Sequence, residues 1–198
     1  MPFLNTIQQL LDRHPGRWAQ KIIQPGSFVY QPADIDKHVY WLEKGLIKIG
    51  SLGELGQRVL YDVLQPGELF GDLDYLDDVT FFEYALAATS VSVLAIDRPT
   101  FRYAVTHDPV LAEWFNERII RRWHRAETRL LHRNGFSVDE RIRNLQQQYT
   151  ALIADTDGQL QRPFDHLSYQ DIGDLVGATR QTVSRKLQTL SKSNSTVL

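Results

Sequence analysis

Short runs with apolar residues at alternating positions dominate the chain from about residue 26 to residue 97. PGSFVYQP, HVYWLEKGLIKIG, RVLYDVLQPGELFGDL and YALAATSVSVLAI are rich in valine, tyrosine and isoleucine, with Pro-Gly and Lys-Gly breaks between them. Period-two alternation gives each strand one apolar face, and turn signals every 8 to 12 residues or so predict a sandwich or barrel. Ahead of this region, residues 3–11 carry helical spacing and read as a short leading helix.

At Asp108-Pro109 the period changes. Aspartate is a favoured helix cap and proline a favoured first helical residue, so a long helix is expected from there to about Arg133. Ile119, Trp123, Ala126 and Leu130 recur at intervals of four, three and four, an a/d seam, while Leu111, Trp114 and Phe115 form a second apolar set on its first turns. Two apolar surfaces on one helix suggest two partners: the β-region for the early set and the same helix of a second chain for the seam. The competing reading places both sets in one intramolecular core.

Asn134-Gly135 marks a turn, and Ser137 to Glu140 matches the S-x-x-E capping box of a helix expected to run to about Ile153. Asp157-Gly158 predicts a small hairpin within residues 156–164. Ser168 and Asp171 then form a second capping box; Ile172, Leu175 and Val176 give the helix that follows a buried face. Gly177 suits a left-handed helix end, and Thr179 caps a further helix with Val183, Leu187 and Leu190 on one side and Arg180, Gln181, Ser184 and Arg185 on another. Two short helices about a Gly-containing turn have the geometry of a helix-turn-helix, whose second helix enters the DNA major groove. There arginine can bind guanine and glutamine can bind adenine bidentately, while Thr179, Thr182 and Lys186 suit phosphates. A plain helical hairpin with solvated cations is the bland alternative.

Composition sharpens this picture. The 198 residues include no Cys, which removes disulfides, thiol sensing and Cys-held iron–sulfur clusters, and no apolar run is long enough to span a membrane, so a soluble, cytoplasmic protein is expected. The net charge of −2 conceals segregation. Between Val59 and Asp97 there is no Lys or Arg but there are Asp62, Glu68, Asp72, Asp74, Asp77, Asp78 and Glu83; after Asp174 the sign reverses. The six histidines show no ligand-spaced pair, so neither metal nor haem is expected, and no nucleophile–base set points to an enzyme.

With these motifs in place, the chain resembles the catabolite-activator and fumarate–nitrate-regulator (CRP/FNR) family of bacterial transcription regulators. QPGSFVYQP, VYWLEKGLIKI and VLQPGELFGDL resemble its cyclic-nucleotide-binding β-roll, and LSYQDIGDLVGATRQTVSRKLQTL its winged helix-turn-helix. The resemblance implies an α+β chain: a double-stranded β-roll over 1–107, a dimerisation helix over 108–134 and a DNA-binding domain over 135–198. It implies a homodimer on palindromic double-stranded DNA, with RNA polymerase a further candidate partner. Thr179, Arg180, Gln181, Thr182, Ser184, Arg185 and Lys186 fall at its DNA-contacting positions, and Phe70, Gly71, Asp72, Leu73, Glu83 and Tyr84 at its effector pocket.

The chain also departs from the family. Asp72 stands for the usual Glu, and Phe82-Glu83-Tyr84-Ala85 replaces the Arg-Ser-Ala element that holds a cyclic phosphate. With carboxylates and no cation in that loop, like charges should repel cyclic AMP or GMP. No effector is named by what remains, and no cofactor is expected. After Leu190 the chain reads SKSNSTVL, a polar tail where the family has a wing, so the wing is either lost or the sequence shortened. The rival function is a β-roll protein that works by binding a protein through its acidic loop.

Overall fold

The computed structural model describes Asp12 and residues 16–34, 38–73 and 81–195, with side chains to residue 189. The leading helix expected over residues 3–11, and Asp74, Asp77 and Asp78, lie outside the described residues. Eight strands form two four-stranded antiparallel sheets. One runs β1 (Trp18–Ile23), β8 (Val91–Asp97), β3 (His38–Lys44), β6 (Leu69–Gly71); the other runs β2 (Phe28–Tyr30), β7 (Glu83–Ala87), β4 (Ile47–Leu52), β5 (Arg58–Leu64). The sheets face each other across a core that includes Tyr40, Leu42, Ile47, Ile49, Phe70 and Val93.

Strand β3 is apolar at consecutive positions because both its faces are covered. Tyr40 and Leu42 point between the sheets, whereas Val39 and Trp41 point outward into a second core beneath the helices. Two helices close that outer face: α1 (Arg98–His107), capped by Asp97, and α2 (Pro109–Gly135), capped by Asp108, which accepts from the N–H of Val110 and Leu111 at 2.9 and 3.1 Å. Leu111 and Trp114 bury here, Trp114 stacking on Trp41 at 5.0 Å and 4°. The early apolar set of α2 thus lies against the β-roll, as the sequence pattern suggested. Strand β1 and helix α1 had not been anticipated; β1 pairs along its whole length with β8, but its own side chains are mostly exposed and carry little hydrophobic signal.

Helix α3 (Val138–Gln148) starts at the expected Ser137–Glu140 box but ends five residues before Ile153. Tyr149, at the end of the helix, is drawn into the interior, and the chain then extends as β9 (Ile153–Ala154), which pairs with β10 (Leu160–Gln161). The Ala154 carbonyl accepts from Gly45 N–H at 2.9 Å, so tertiary pairing with the β-roll turn overrides helix continuation. After a short 3-10 turn over Pro163–His166 come α4 (Tyr169–Val176) and α5 (Arg180–Ser195). Helix α5 extends beyond the expected end near Leu190, taking residues 191–195 of the polar tail into its last turns.

The C-terminal helices do not hang free. Leu46, Leu60 and Val63 of the β-roll share one core with Ile142, Leu145, Tyr149, Ile172, Leu175 and Val183. Lys48 Nζ reaches Asp171 at 2.8 Å, and Asp174 accepts from Leu60 N–H at 2.9 Å.

Candidate nucleic-acid interface

Helices α4 and α5 are set by local chemistry. Ser168 Oγ accepts from Asp171 N–H at 3.1 Å and Asp171 returns a bond to Ser168 N–H at 2.8 Å, closing the predicted box. Gly177 ends α4 at φ 65°, ψ 51°, a left-handed conformation that strains other residues. Thr179 Oγ1 accepts from Thr182 N–H at 3.2 Å and so caps α5. Gly173 is needed for a different reason: a Cβ there would stand 2.6 Å from the Ala178 carbonyl oxygen, so only hydrogen lets the two helices approach. Val183 is fully buried beneath α4 and fixes the rotation of α5.

That rotation exposes Thr179, Arg180, Gln181 and Arg185, leaves Ser184 half-buried on the same side, and continues the polar face through Gln188. Among the seven candidate contact residues, Thr182 and Lys186 are differently placed. Thr182 bonds the Thr179 hydroxyl at 3.0 Å, and Lys186 Nζ is paired with Asp139 of α3 at 2.6 Å. Lys186 therefore ties α5 to α3 before any phosphate is present.

Helix α2 presents two neighbouring faces. On one, Ile119, Trp123, Ala126 and Leu130 are exposed, Trp123 at 63% and Leu130 at 60%, and Ile120 and Leu131 widen the stripe. On the next, Arg122, Arg125 and Arg129 turn into the β-roll. Arg129 Nη2 bonds Asp62 at 2.7 Å and the Tyr149 hydroxyl at 3.3 Å, and Nη1 bonds the Tyr61 carbonyl. Arg125 pairs with Glu68 and reaches Asp62 at 3.6 Å; Arg122 pairs with Glu83 at 3.3 Å and reaches Asp62 at 3.6 Å. Burial pulls the Arg122 and Arg129 pKa values down, but the facing carboxylates outweigh it and hold both above the ordinary arginine value.

This network corrects the electrostatic expectation for the effector region. Among the described residues, Asp62, Glu68, Asp72 and Glu83 are each met by a cation from outside the Arg-free segment, Asp72 pairing with Arg98 at 3.1 Å. Glu83 accepts from the hydroxyls of Tyr30 and Tyr61 as well as from Arg122. Burial, then Glu83, pushes both tyrosine hydroxyls well above their usual range. Phe70 stacks on Tyr40 at 5.3 Å and Tyr30 at 6.0 Å, and Phe81 lies tilted against Tyr30 at 5.6 Å. The space left between Tyr30, Tyr40, Asp72 and Phe81 is too small for a water molecule. Gly71 passes against the His38 carbonyl, and Leu73 packs outward against the helix-side core. Tyr84 is not part of this group: it lies on the opposite face of β7, edge-on to Phe28 at 5.8 Å and near Asp171 and Asp174. Residues 83 and 84 are consecutive in a strand, so they cannot share a face.

Comparison with known proteins adds the family. Residues 20–108 match the profile of the cyclic nucleotide-binding domain, and residues 166–194 match that of bacterial regulatory proteins of the crp family. The chain belongs to the CRP/FNR family. It is 26% identical over 172 residues to the CRP-like cAMP-activated global transcriptional regulator of Mycobacterium tuberculosis, covering 84% of this chain and 77% of that one. It is 28% identical over 179 residues to the global nitrogen regulator of Synechococcus elongatus, with 85% and 77% covered. The structure of FixK2 from Bradyrhizobium japonicum superposes with a TM-score of 0.69 at 21% identity, covering 89% of this chain and 86% of that one, and shows the shared fold.

This CRP/FNR chain is thus a transcription regulator rather than an enzyme, and its β-roll, long helix and C-terminal helices are the family architecture. Among the described residues, no helix is long and apolar enough to cross a membrane. Sequence reading missed the inward role of Arg122, Arg125 and Arg129. Their three- and four-residue spacing was visible, but the seam one step away carried the stronger apolar signal, and the partners, Asp62, Glu68 and Glu83, lie 39 to 67 residues away.

Proposed function

We propose that the chain acts as a homodimer that reads a palindromic operator through α5 and does not respond to cyclic AMP. The observation that carries this reading is the exposed row Arg180, Gln181, Ser184 and Arg185, held rigid by the Gly173–Gly177 turn and the buried Val183. Arg180 and Arg185 are assigned to guanine, Gln181 to adenine, and Thr179 and Thr182 to phosphates. Lys186 contacts phosphate only after leaving Asp139. The stripe Ile119, Trp123, Ala126 and Leu130 supports dimerisation, since an exposed apolar seam of this kind is stable in water once a second copy covers it. RNA polymerase remains a candidate partner of the DNA-bound dimer.

The cyclic AMP reading rests on a filled site. Glu83 occupies the place the family gives to phosphate recognition and already holds Arg122, while the rings of Tyr30, Tyr40, Phe70 and Phe81 take up the room beside it. A cyclic phosphate entering there would have to displace a carboxylate from its own arginine. The rival reading, an interaction protein acting through an acidic loop, loses the described part of its acidic surface, because Asp62, Glu68, Asp72 and Glu83 are already paired. Selection of bound fragments from genomic DNA tests the proposal. Enrichment of a two-fold symmetric sequence with half-sites about one helical turn apart, unchanged by added cyclic AMP, is expected. Recovery of unrelated fragments, or enrichment only with cyclic AMP, would overturn it.

A further inference from the structure

The joint between α2 and the C-terminal helices encloses a cavity of about 260 Å³ that neither the DNA-reading face nor the filled β-roll site uses. Its wall carries Arg125, Arg129, Arg141, His124 and His132, with Thr128, Asn144 and Gln148 as neutral polar neighbours, and no carboxylate lines it among the described residues. Its floor is apolar: Leu145, Leu175 and Val176. Arg125 and Arg129 have their outer nitrogens committed to Glu68 and Asp62, but the Nε–H groups of Arg125, Arg129 and Arg141 are buried with no acceptor among the described residues. Buried donors of one sign without acceptors are uncommon in a finished structure and leave a positive potential in the cavity wall.

We propose that this cavity binds a small organic acid, its carboxylate or phosphate head facing Arg141, His124 and His132 and its apolar body on Leu145, Leu175 and Val176. A volume just under the usual ~300–1,000 Å³ of ligand sites selects a single ring or short chain, and is too small for a dinucleotide. At 100° per residue, His124, Thr128 and His132 lie on the side of α2 opposite the Ile119–Leu130 stripe, so a partner helix on that stripe leaves the cavity open. The ligand would touch α2, α3 and α4 at once and bias how the DNA-binding helices sit on the long helix. That regulatory consequence rests on the DNA-binding reading above; the binding itself does not. Binding and DNA affinity would then be linked reciprocally.

Calorimetric and saturation-transfer NMR titrations of the full chain with benzoate and with phenyl phosphate, and with benzyl alcohol as the uncharged control, test the site without DNA. At least one anion is expected to bind and the alcohol not to. Arg141→Gln should weaken binding by about tenfold or more, as loss of a charge-assisted bond requires. Thr128→Phe, which fills the cavity while keeping every cation, should abolish it. Which anion binds better distinguishes a carboxylate from a phosphate ligand. Failure of both anions at millimolar concentration, or binding that both variants leave unchanged, would overturn the proposal; neither result bears on whether the chain reads DNA.

Discussion

Replacing Arg129 with Met removes one guanidinium from the α2–β-roll contact and takes a donor from three acceptors. Asp62 is 4% exposed and loses its shortest ion pair, at 2.7 Å, keeping Arg122 and Arg125 only at 3.6 Å; the Tyr61 carbonyl and the Tyr149 hydroxyl lose a donor. Breaking a buried pair by deleting one partner costs about 3–5 kcal/mol, and the two residual arginines place Arg129→Met near the lower end, about 3 kcal/mol. Urea denaturation should show a lower midpoint with an unchanged slope. Asp62→Leu in the same background should recover part of the loss, because it removes the uncompensated charge. A loss below ~0.5 kcal/mol for the single variant, the range of ordinary surface substitutions, would refute the claim that this network clamps the helix.

Gly173→Ala should destabilise the C-terminal helices by ~1–3 kcal/mol despite the better helix propensity of alanine, because its Cβ meets the Ala178 carbonyl at 2.6 Å; a neutral or stabilising effect in thermal melts would contradict the turn geometry. Trp123→Glu should convert a micromolar dimer to monomer by light scattering while leaving far-UV circular dichroism intact. Burial pushes the Tyr149 hydroxyl up to about 12, against ~10 in the unfolded chain, and Tyr30 and Tyr61 move in the same direction. Their contribution is therefore fully present below pH 10 and lost as pH rises towards the folded values, at ~1.4 kcal/mol per pH unit per group. Tyr149→Phe should flatten the stability profile between pH 10 and 12, and an unaltered slope would count against the burial argument.

Local signals carried most of the fold. Capping boxes at Ser137 and Ser168, the Gly177 turn and the Asp108-Pro109 start are written in three or four neighbouring residues, and period-two runs expose the strands. What escaped was tertiary. The end of α3 at Gln148 is decided by Gly45 and Ser90, both far from α3 in sequence, which hydrogen-bond to Ala154 and Thr156 in the segment that follows. The separation of Glu83 from Tyr84 required knowing which face of β7 looks inward. The pairing of Asp62, Glu68 and Glu83 with α2 turned an apparent acidic surface into an internal contact, and no composition count shows that. The candidate base-reading residues were legible because they sit on one helix, whereas the cavity at the joint is assembled from three.

The most direct measurement is fluorescence anisotropy of a labelled operator, recovered from genomic selection, titrated at fixed salt with the chain and with Arg185→Ala. One dimer should bind each operator without any added nucleotide, and the variant should lose on the order of 1–3 kcal/mol or more per half-site while weak non-specific binding persists. Equal affinity of the two proteins for the operator would contradict it.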